Sequence, residues 1–524
     1  MNNKLTIDDI EQILYNRTAN DQFKTLKSLP SPDTFKDMDK ATNRIVQAIQ
    51  NDETINLVGD YDVDGITSTT IMVQFFAALG VEINYIIPNR FEHGYGLSPK
   101  ILEQIYDGLI ITVDNGITAF EASEICKSRG LDLIITDHHT VSDKVPFAYA
   151  IINPKQSDCE FPFSDICGAQ VAWYLCASIK KALKFDYNLM ELFDILALAI
   201  VADIMPMISI NKTMVKAGLK ALQTSQRPAI VAIKQRYGLT TITEEDIGFK
   251  IAPLINCAGR MSDPIVALEF LLSYDEYEAN EQLDYLVELN EQRKIDQLQI
   301  FTEAKEQVLH NDDVVIVASD KWNEGIIGIV ASKLCEKYKK PAFVFAIKGS
   351  IAKASSRSNS STHLYNLIST CSELLEGYGG HKQAAGLSLN TNNLDKFKEL
   401  INKNIKIMPK EEDDISSNSI GEFSLNHVND VVYNMIESFR PFGFENPYPI
   451  FTFSNIKVLD LSKMGKNKEF TKLVVGDSEV NIEVVIFIDF DGVNIGDNIN
   501  FTATISKNEF RGNVKYNLML KELL

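Results

Sequence analysis

Three clusters of side chains in the first half of the chain could hold metal ions. Val58-Gly-Asp-Tyr-Asp-Val-Asp-Gly65 carries Asp60, Asp62 and Asp64 at alternate positions, Asp114 opens Asp-Asn-Gly116, and Asp137 precedes the pair His138-His139. Each cluster follows directly on a short β-branched apolar run: Ile55–Val58, Leu109–Val113 and Leu131–Thr136. Asp203, after the apolar helical-looking run Ile195–Ala202, could supply a further side. Carboxylates gathered in such numbers repel one another unless cations neutralise them. Oxygen and imidazole donors without cysteine suit Mn²⁺ or Mg²⁺ better than structural zinc. The ligands suffice for two ions, the arrangement that stabilises both the entering and the leaving oxygen of an in-line phosphoryl displacement. Taken singly, a DxD or Asp-Asn-Gly is ordinary in a turn and Asp137 could cap a helix. The conjunction of three acidic strand ends with a histidine pair is what points to a metal centre.

Positioning these groups requires a particular scaffold. With Ile83–Ile87 and Tyr149–Ile152, the region from 54 to 155 holds five short runs, apolar on both faces, joined by connections long enough for helical crossovers. That pattern predicts a doubly wound α/β domain with a parallel sheet, whose carboxyl edge is where ligands bind. No Pro or Gly occurs from Ile265 to Glu324. Within this stretch, Leu283, Val287, Ile295, Leu298, Phe301 and Val308 recur at helical spacing, predicting one long amphipathic helix or two helices end to end. A second α/β segment opens with a strand at Asp313–Ala318, a helix from Gly328 and a strand at Ala342–Ile347. The β-rich segments 482–488, 499–506 and 514–520, with turns such as Phe510-Arg-Gly-Asn513, fit a five-stranded oligonucleotide-binding (OB) barrel or another small barrel or sandwich.

The 524 residues carry 51 Lys+Arg against 71 Asp+Glu, so the net charge is 51 − 71 = −20. Such acidity confines any nucleic-acid binding to local basic surface, as in Lys457–Lys472, with five Lys against Asp460 and Glu469. The longest apolar run in the helical-looking stretches is Ile195–Ala202, far short of the ~20 residues a membrane span needs. The first residues have no apolar core and soon turn acidic, so no signal peptide is expected. Seven cysteines without a CxxC pair suggest neither a disulfide framework nor a cysteine zinc site. The expectation is a reduced, cytoplasmic, monomeric enzyme.

Asp60-Tyr-Asp-Val-Asp-Gly65, Asp114-Asn-Gly116, Asp137-His-His139 and Asp203 resemble the four motifs of the DHH phosphoesterase superfamily. Lys321-Trp-Asn-Glu-Gly-Ile-Ile-Gly328, Ser355-Ser-Arg-Ser358 and Gly379-Gly-His-Lys-Gln-Ala-Ala-Gly386 resemble its associated DHHA1 domain. Phe35–Lys40, Asn89–Leu97, Ala252–Arg260 and Pro441–Pro447 are similar to the RecJ family of single-strand-specific 5′→3′ exonucleases. Two positions depart from that pattern: His93 stands where an acid is more frequent, and Leu254 where an Arg is usual, the second bearing only on an auxiliary phosphate contact.

The resemblance implies a helical extension over 1–50, a DHH catalytic domain over 51–275, a connecting helix over 276–310, and a DHHA1 domain over 311–409. An acidic linker over 410–419 and an OB-like domain over 420–524 complete it. It further implies that Asp62, Asp64, Asp114, His138 and Asp203 bind two divalent ions, with Asp60 beside them or ligating, and that Asp114, Asp137 and His139 are catalytic, His139 contacting the scissile phosphate. Arg90, Tyr95, Arg260, Ser356, Arg357, Gly379, Gly380 and His381 would contact substrate, Arg90 and Tyr95 at the 5′ end; ordinary packing of Tyr95 and helix capping by His381 are the competing roles. The implied activity is 5′→3′ degradation of single-stranded DNA to mononucleotides in recombination and repair, alongside a RecQ-type helicase and a single-strand-binding protein. The alternatives are a hydrolase of oligoribonucleotides or cyclic dinucleotides, and a scaffold without chemistry.

Overall fold

The computed structural model describes residues 4–309, 311–359, 362–408, 419–465, 470–476, 480–487, 492–510 and 513–524. Strands β1 (Ile55–Val58), β2 (Asn84–Ile86), β3 (Leu109–Val113), β4 (Leu133–Thr136) and β5 (Ala150–Ile152) form an all-parallel sheet of order β2-β1-β3-β4-β5. Successive side chains on a strand face opposite ways, so each face feeds its own core. Leu57, Ile111, Val113 and Ile134 pack with the helices Val63–Ala78 and Gly168–Leu183. Val58, Ile110, Leu133 and Ile135 pack with Leu102, Ile105 and Cys126 on the other side. The strand order reverses between β1 and β3, and the loops leaving their carboxyl ends open a crevice there.

Glu276–Gln307 is one helix of 32 residues, opened by Asp275, whose side chain accepts from the Glu278 amide at 2.9 Å. Ala279, Leu283 and Leu286 enter the first core, and Ile300 and Ala304 enter the core of the second domain. The apolar stripe read from the sequence is interrupted between them. Ile295 and Leu298 are 59% and 65% exposed, and the buried positions there are Asn290, Arg293 and Gln297. The helix bridges two cores, so its middle passes a polar cleft and not a hydrophobic surface.

The second domain is a mixed sheet of β6 (Val315–Ser319), β7 (Ala342–Lys348), β8 (Ile351–Arg357), β9 (Leu375–Gly380) and β10 (Ala384–Asn390), in the order β6-β7-β8-β10-β9. Only β6 and β7 run parallel, across the helix Ile327–Tyr338; the remaining pairs are antiparallel. The third domain contains β11 (Ser419–Glu422), β12 (Ile450–Met464), β13 (Phe470–Gly476), β14 (Asn481–Ile486), β15 (Asn498–Phe510) and β16 (Asn513–Leu523). Strands β12-β13-β14-β16-β15 close back onto β12, with β14 and β16 parallel, which makes a five-stranded OB-like barrel.

The first 50 residues divide between two domains. The helix Met38–Gln50 buries Met38, Ala41 and Ile45 in the first core. The helix Ile7–Arg17 instead places Ile10 and Leu14 in the barrel core, and the Leu5 amide donates to the Glu422 carbonyl at 2.8 Å. The barrel is also clasped to the first domain. Buried Glu244 accepts from Arg440 Nη1 at 2.6 Å and the Phe442 amide at 2.9 Å, and the Met207 amide donates to the Phe444 carbonyl at 2.7 Å. The expected acidic linker lies outside the described residues apart from Ser419, as do Lys466 and Lys468 of the basic segment. No described helix is long and apolar enough to cross a membrane. Ile10→Ala opens a cavity in the barrel core and is expected to lower the barrel's unfolding free energy by about 2–5 kcal/mol, leaving the first domain's transition in place. A denaturant titration resolving the two domains checks this.

Candidate metal centre

The crevice at the β1/β3 switch point gathers the predicted acids. Asp60, Asp62 and Asp64 sit at the end of β1 and the start of the helix Val63–Ala78, where Asp62 is the cap and accepts from the Gly65 amide at 3.1 Å. Asp64 is buried and takes the Gly168 amide at 2.6 Å and the Ala169 amide at 2.8 Å, so the helix Gly168–Leu183 points its amino end at this carboxylate. Gly168 is required there, because a Cβ would stand 2.6 Å from Asp114 Cβ. Asp114 follows β3 with a positive φ of 61°. Asp203 caps the end of the helix Phe193–Ala202. The His138 Nε2 faces Asp114 at 3.2 Å, Asp64 at 3.5 Å and Asp203 at 3.6 Å.

Ligand-competent atoms lie within 4.8 Å of one another in three groups: Asp60, Asp62 and Asp114; Asp64, His138 and Asp203; and Asp114, His138 and His139. Asp114 and His138 therefore stand between the sets. Asp60 Oδ1, Asp114 Oδ1 and Asp203 Oδ2 are buried with no hydrogen-bond partner. Without cations, burial first and then neighbouring carboxylates push Asp60 and Asp114 well above the usual carboxylate range and Asp203 up to about 8. Burial lowers His138 to about 4, so its imidazole is neutral, the form in which histidine ligates. Orphaned oxygens, a neutral imidazole and no thiolate are what hard divalent ions require, so the cluster fits Mn²⁺ or Mg²⁺.

Asp137 stands apart from these groups. One oxygen accepts from the Ile117 amide at 2.9 Å and the other from the His138 and His139 amides at 2.7 and 3.0 Å, besides facing His139 Nδ1 at 2.7 Å. Its carboxylate thus fixes the orientation of the His139 ring. Burial opposes the charge on His139, but the Asp137 bond, with Asp203 and Asp62 adding, holds its pKa up at about 9. The Tyr95 hydroxyl lies 3.4 Å from His139 Nδ1, with its ring edge-on to both His139 and Tyr61.

Arginines gather on the other side of the centre. Arg90 lies 4.3 Å over the Tyr61 ring. Arg260 donates to the Gly325 carbonyl at 3.1 Å, a contact between the two α/β domains. Its pKa falls to about 10, through burial first and then Arg90, with Arg293 and Arg357 contributing and Asp62 opposing. Lys348 lies 5.5 Å over the Phe91 ring, a second bridge between the domains. Other predicted contacts are placed differently. Ser356 is fully buried and donates to the Ala385 carbonyl at 2.8 Å, so its hydroxyl is spent within the sheet. Gly379 and Gly380 end β9 and His381 follows them toward β10, all three exposed, with open space around a Cβ at Gly379 and a φ of 137° at Gly380. The capping histidine in this region is His363, at the helix Leu364–Ser369.

Three residues escaped the sequence reading. Asn115 Nδ2 donates to the Val58, Gly59 and Val113 carbonyls at 2.9–3.0 Å while Oδ1 takes the Leu97 amide, locking three loops together. Tyr61 seats Arg90. Arg293 is buried in the middle of the bridging helix, where its hydrogen-bond partners among the described residues are Asn290 and Gln297. A charge at a buried helical position was the available signal for Arg293, but it was masked by the charge-rich sequence around it.

Residues 54–200 match the DHH family, N-terminal domain, residues 311–407 the DHHA1 domain, and residues 421–522 the RecJ OB domain. A single-stranded-DNA-specific exonuclease RecJ from Bacillus subtilis is 33% identical over 508 residues, 94% of this chain and 64% of that protein, so the chain spans less than two thirds of its length. The Escherichia coli protein of the same name is 34% identical over 411 residues, 73% of this chain and 71% of that protein. The crystal structure of RecJ from Thermus thermophilus in complex with Mn²⁺ matches with a TM-score of 0.83 at 24% identity, over 98% of this chain and 76% of that one. That protein is also known in complex with Mg²⁺.

Cation binding must displace protons from Asp60, Asp114 and Asp203, whose pKa values are raised in the cation-free site. Apparent Mn²⁺ affinity is therefore expected to rise as pH increases toward about 8, with proton release measurable by calorimetry in buffers of different ionisation enthalpy. Affinity independent of pH over this range would show that the carboxylates are ionised before the metal arrives.

Proposed function

Since the chain belongs to the RecJ family, we propose that it is a metal-dependent exonuclease that degrades single-stranded DNA 5′→3′ to 5′-mononucleotides, in recombination and repair. The observation that carries this reading is the pairing of opposites in one cleft: buried carboxylates that need cations, facing arginines that need anions. A phosphodiester bound together with divalent ions would satisfy both sets. The closed β-barrel beside the cleft favours a polymeric substrate over a small phosphoester.

In this reading Asp60, Asp62 and Asp114 would hold one divalent ion and Asp64, His138 and Asp203 the other. When bound, the ions would neutralise the acids, acidify a water and stabilise the entering and leaving oxygens. His139 carries a proton and directs positive charge at the scissile phosphate, held in orientation by Asp137. Arg90, braced on Tyr61, clamps the 5′-terminal phosphate, and Tyr95 stacks on the terminal base. Arg357 and Arg260 take the phosphates that follow. Gly379 and Gly380 admit the strand backbone and His381 contacts it. Ser356 acts through the register of β8 and not through its hydroxyl. Attack at phosphorus expels the 3′-oxygen of the departing nucleotide.

The contacts Arg260–Gly325 and Lys348–Phe91 support a channel too narrow for duplex. The substrate must therefore arrive already unwound, which supports a RecQ-type helicase and a single-strand-binding protein as partners in the cytoplasm. The acidity of the chain as a whole predicts a shallow salt dependence of DNA binding.

Digestion of oligonucleotides labelled at either end is expected to release labelled mononucleotide at once only from the 5′-labelled strand, with chelator and Asp114→Ala each abolishing it. Long strands that survive while very short RNAs are degraded would replace this reading with a small-phosphoester hydrolase. Asp137→Asn is expected to drop the His139 pKa from about 9 toward the ordinary ~6.5, read by NMR titration of the cation-free protein. It is also expected to slow turnover by about a hundredfold.

A further inference from the structure

We propose that His93 is a positioning residue for the 5′ end of the strand, setting the direction of Arg90 by capping the main-chain amide that precedes it. This rests on the exonuclease reading and deepens it, by giving a part to a residue that the reading leaves without one. His93 lies in the connection between β2 and the helix Pro99–Leu102, three residues after Arg90 and two before Tyr95.

This connection opens with a turn that closes on itself. The Asn89 amide donates to His93 Nδ1 at 3.1 Å, and the Asn89 carbonyl accepts from the Glu92 and His93 amides at 3.2 and 2.8 Å. Asn89 Oδ1 takes the Phe91 amide at 2.9 Å. The amide and the carbonyl of Asn89 are thus both tied to His93, and Arg90 stands inside the ring they form. An amide only donates, so His93 Nδ1 is the acceptor, and the proton of the neutral imidazole sits on Nε2. Further along, Gly94 and Gly96 take positive φ values of 85° and 56°, and the Leu97 amide is fixed to Asn115 Oδ1 at 3.0 Å. His93 holds one end of the loop as Asn115 holds the other.

Packing does not supply this shape. None of residues 90–95 is buried, and Tyr95 is 42% exposed. Arg90 rests 4.3 Å over the Tyr61 ring, and Phe91 has Lys348 of the second domain 5.5 Å over its own ring. Both contacts depend on the direction in which the turn presents the two side chains, so the bond from the Asn89 amide to His93 acts on each of them. A guanidinium whose main chain is already fixed loses less freedom when it closes on a phosphate. A 5′-phosphomonoester carries roughly two negative charges at neutral pH, and a 5′-hydroxyl offers none. The ordering of Arg90 is therefore read as a preference for 5′-phosphorylated strands.

The test measures kcat/KM in Mn²⁺ for one oligonucleotide bearing either a 5′-phosphate or a 5′-hydroxyl. Wild type is expected to favour the phosphorylated strand, and His93→Ala to shrink that preference about tenfold, the scale of one hydrogen bond. His93→Asn is expected to restore most of it, because Oδ1 of Asn stands as many bonds from the main chain as Nδ1 of His and accepts the same amide. Introduced into Arg90→Ala protein, His93→Ala is expected to change the preference no further. Histidine ¹⁵N NMR, with the signal assigned by its loss in His93→Asn, is expected to show His93 Nδ1 as a hydrogen-bonded acceptor. A preference left unchanged by His93→Ala would overturn the proposal, and so would one that His93→Asn fails to restore, since the ring would then act other than as an acceptor. Equal slowing of both strands would also overturn it, by making His93 a support of the metal centre. Wild type that digests both strands alike would remove the 5′-phosphate from this loop and the proposal with it. Failure of wild type to release mononucleotide from either strand would instead remove the exonuclease reading on which the proposal rests.

Discussion

Mutual repulsion among Asp60, Asp62, Asp64, Asp114 and Asp203 is the constraint around which the first domain is organised. These acids share one crevice with His138, in which Asp60, Asp64 and Asp114 are buried. Part of the charge is met by fixed dipoles, through the amides of Gly168 and Ala169 on Asp64 and of Gly65 on Asp62. The remainder is left with orphaned oxygens, so the fold holds a high-energy arrangement that divalent ions relieve. Asn115 makes this tolerable by tying the ends of β1 and β3 to the loop that carries Tyr95.

The cationic side of the cleft is built on the same logic with the sign reversed. Arg260 and Arg293 are largely withdrawn from water without a carboxylate bonded to either among the described residues, and burial, then Arg90, with Arg293 and Arg357, depresses the Arg260 pKa. Neither half of the cleft is at rest alone. The first half is suited to cations and the second to anions. Within a chain of charge −20, the cleft thus gathers a local group of desolvated cationic side chains.

The bridging helix and the clasped barrel turn local chemistry into an extended surface. The helix draws its stability from its two ends, which lets its middle present Arg293 to the cleft without unravelling. The barrel is fixed from two directions: by the Glu244–Arg440 contact to the first domain, and by the helix Ile7–Arg17 from the opposite end of the chain.

Much of this was legible in the sequence because its rules are local. The spans of β1 and β3, the helix ending at Ala202 and the helical character of the bridging segment follow from apolar periodicity and from where Pro and Gly are absent. The acids at the strand ends could be assigned to one edge because a parallel sheet brings every carboxyl end to the same side. What the sequence could not decide depends on contacts between distant segments. The short strand β11, the hairpins β7–β8 and β9–β10, and the pairing that closes the barrel are stabilised by partners outside any local window. Burial also assigns roles that residue type leaves open: it spends Ser356 inside a sheet, makes Asp137 an orienting group, and exposes Ile295 and Leu298 where periodicity placed them inside. The sequence determined which groups could do chemistry and on which edge they would stand. Only the tertiary structure decided which of them meet, because pKa, orientation and access are set by whatever the rest of the chain packs against them.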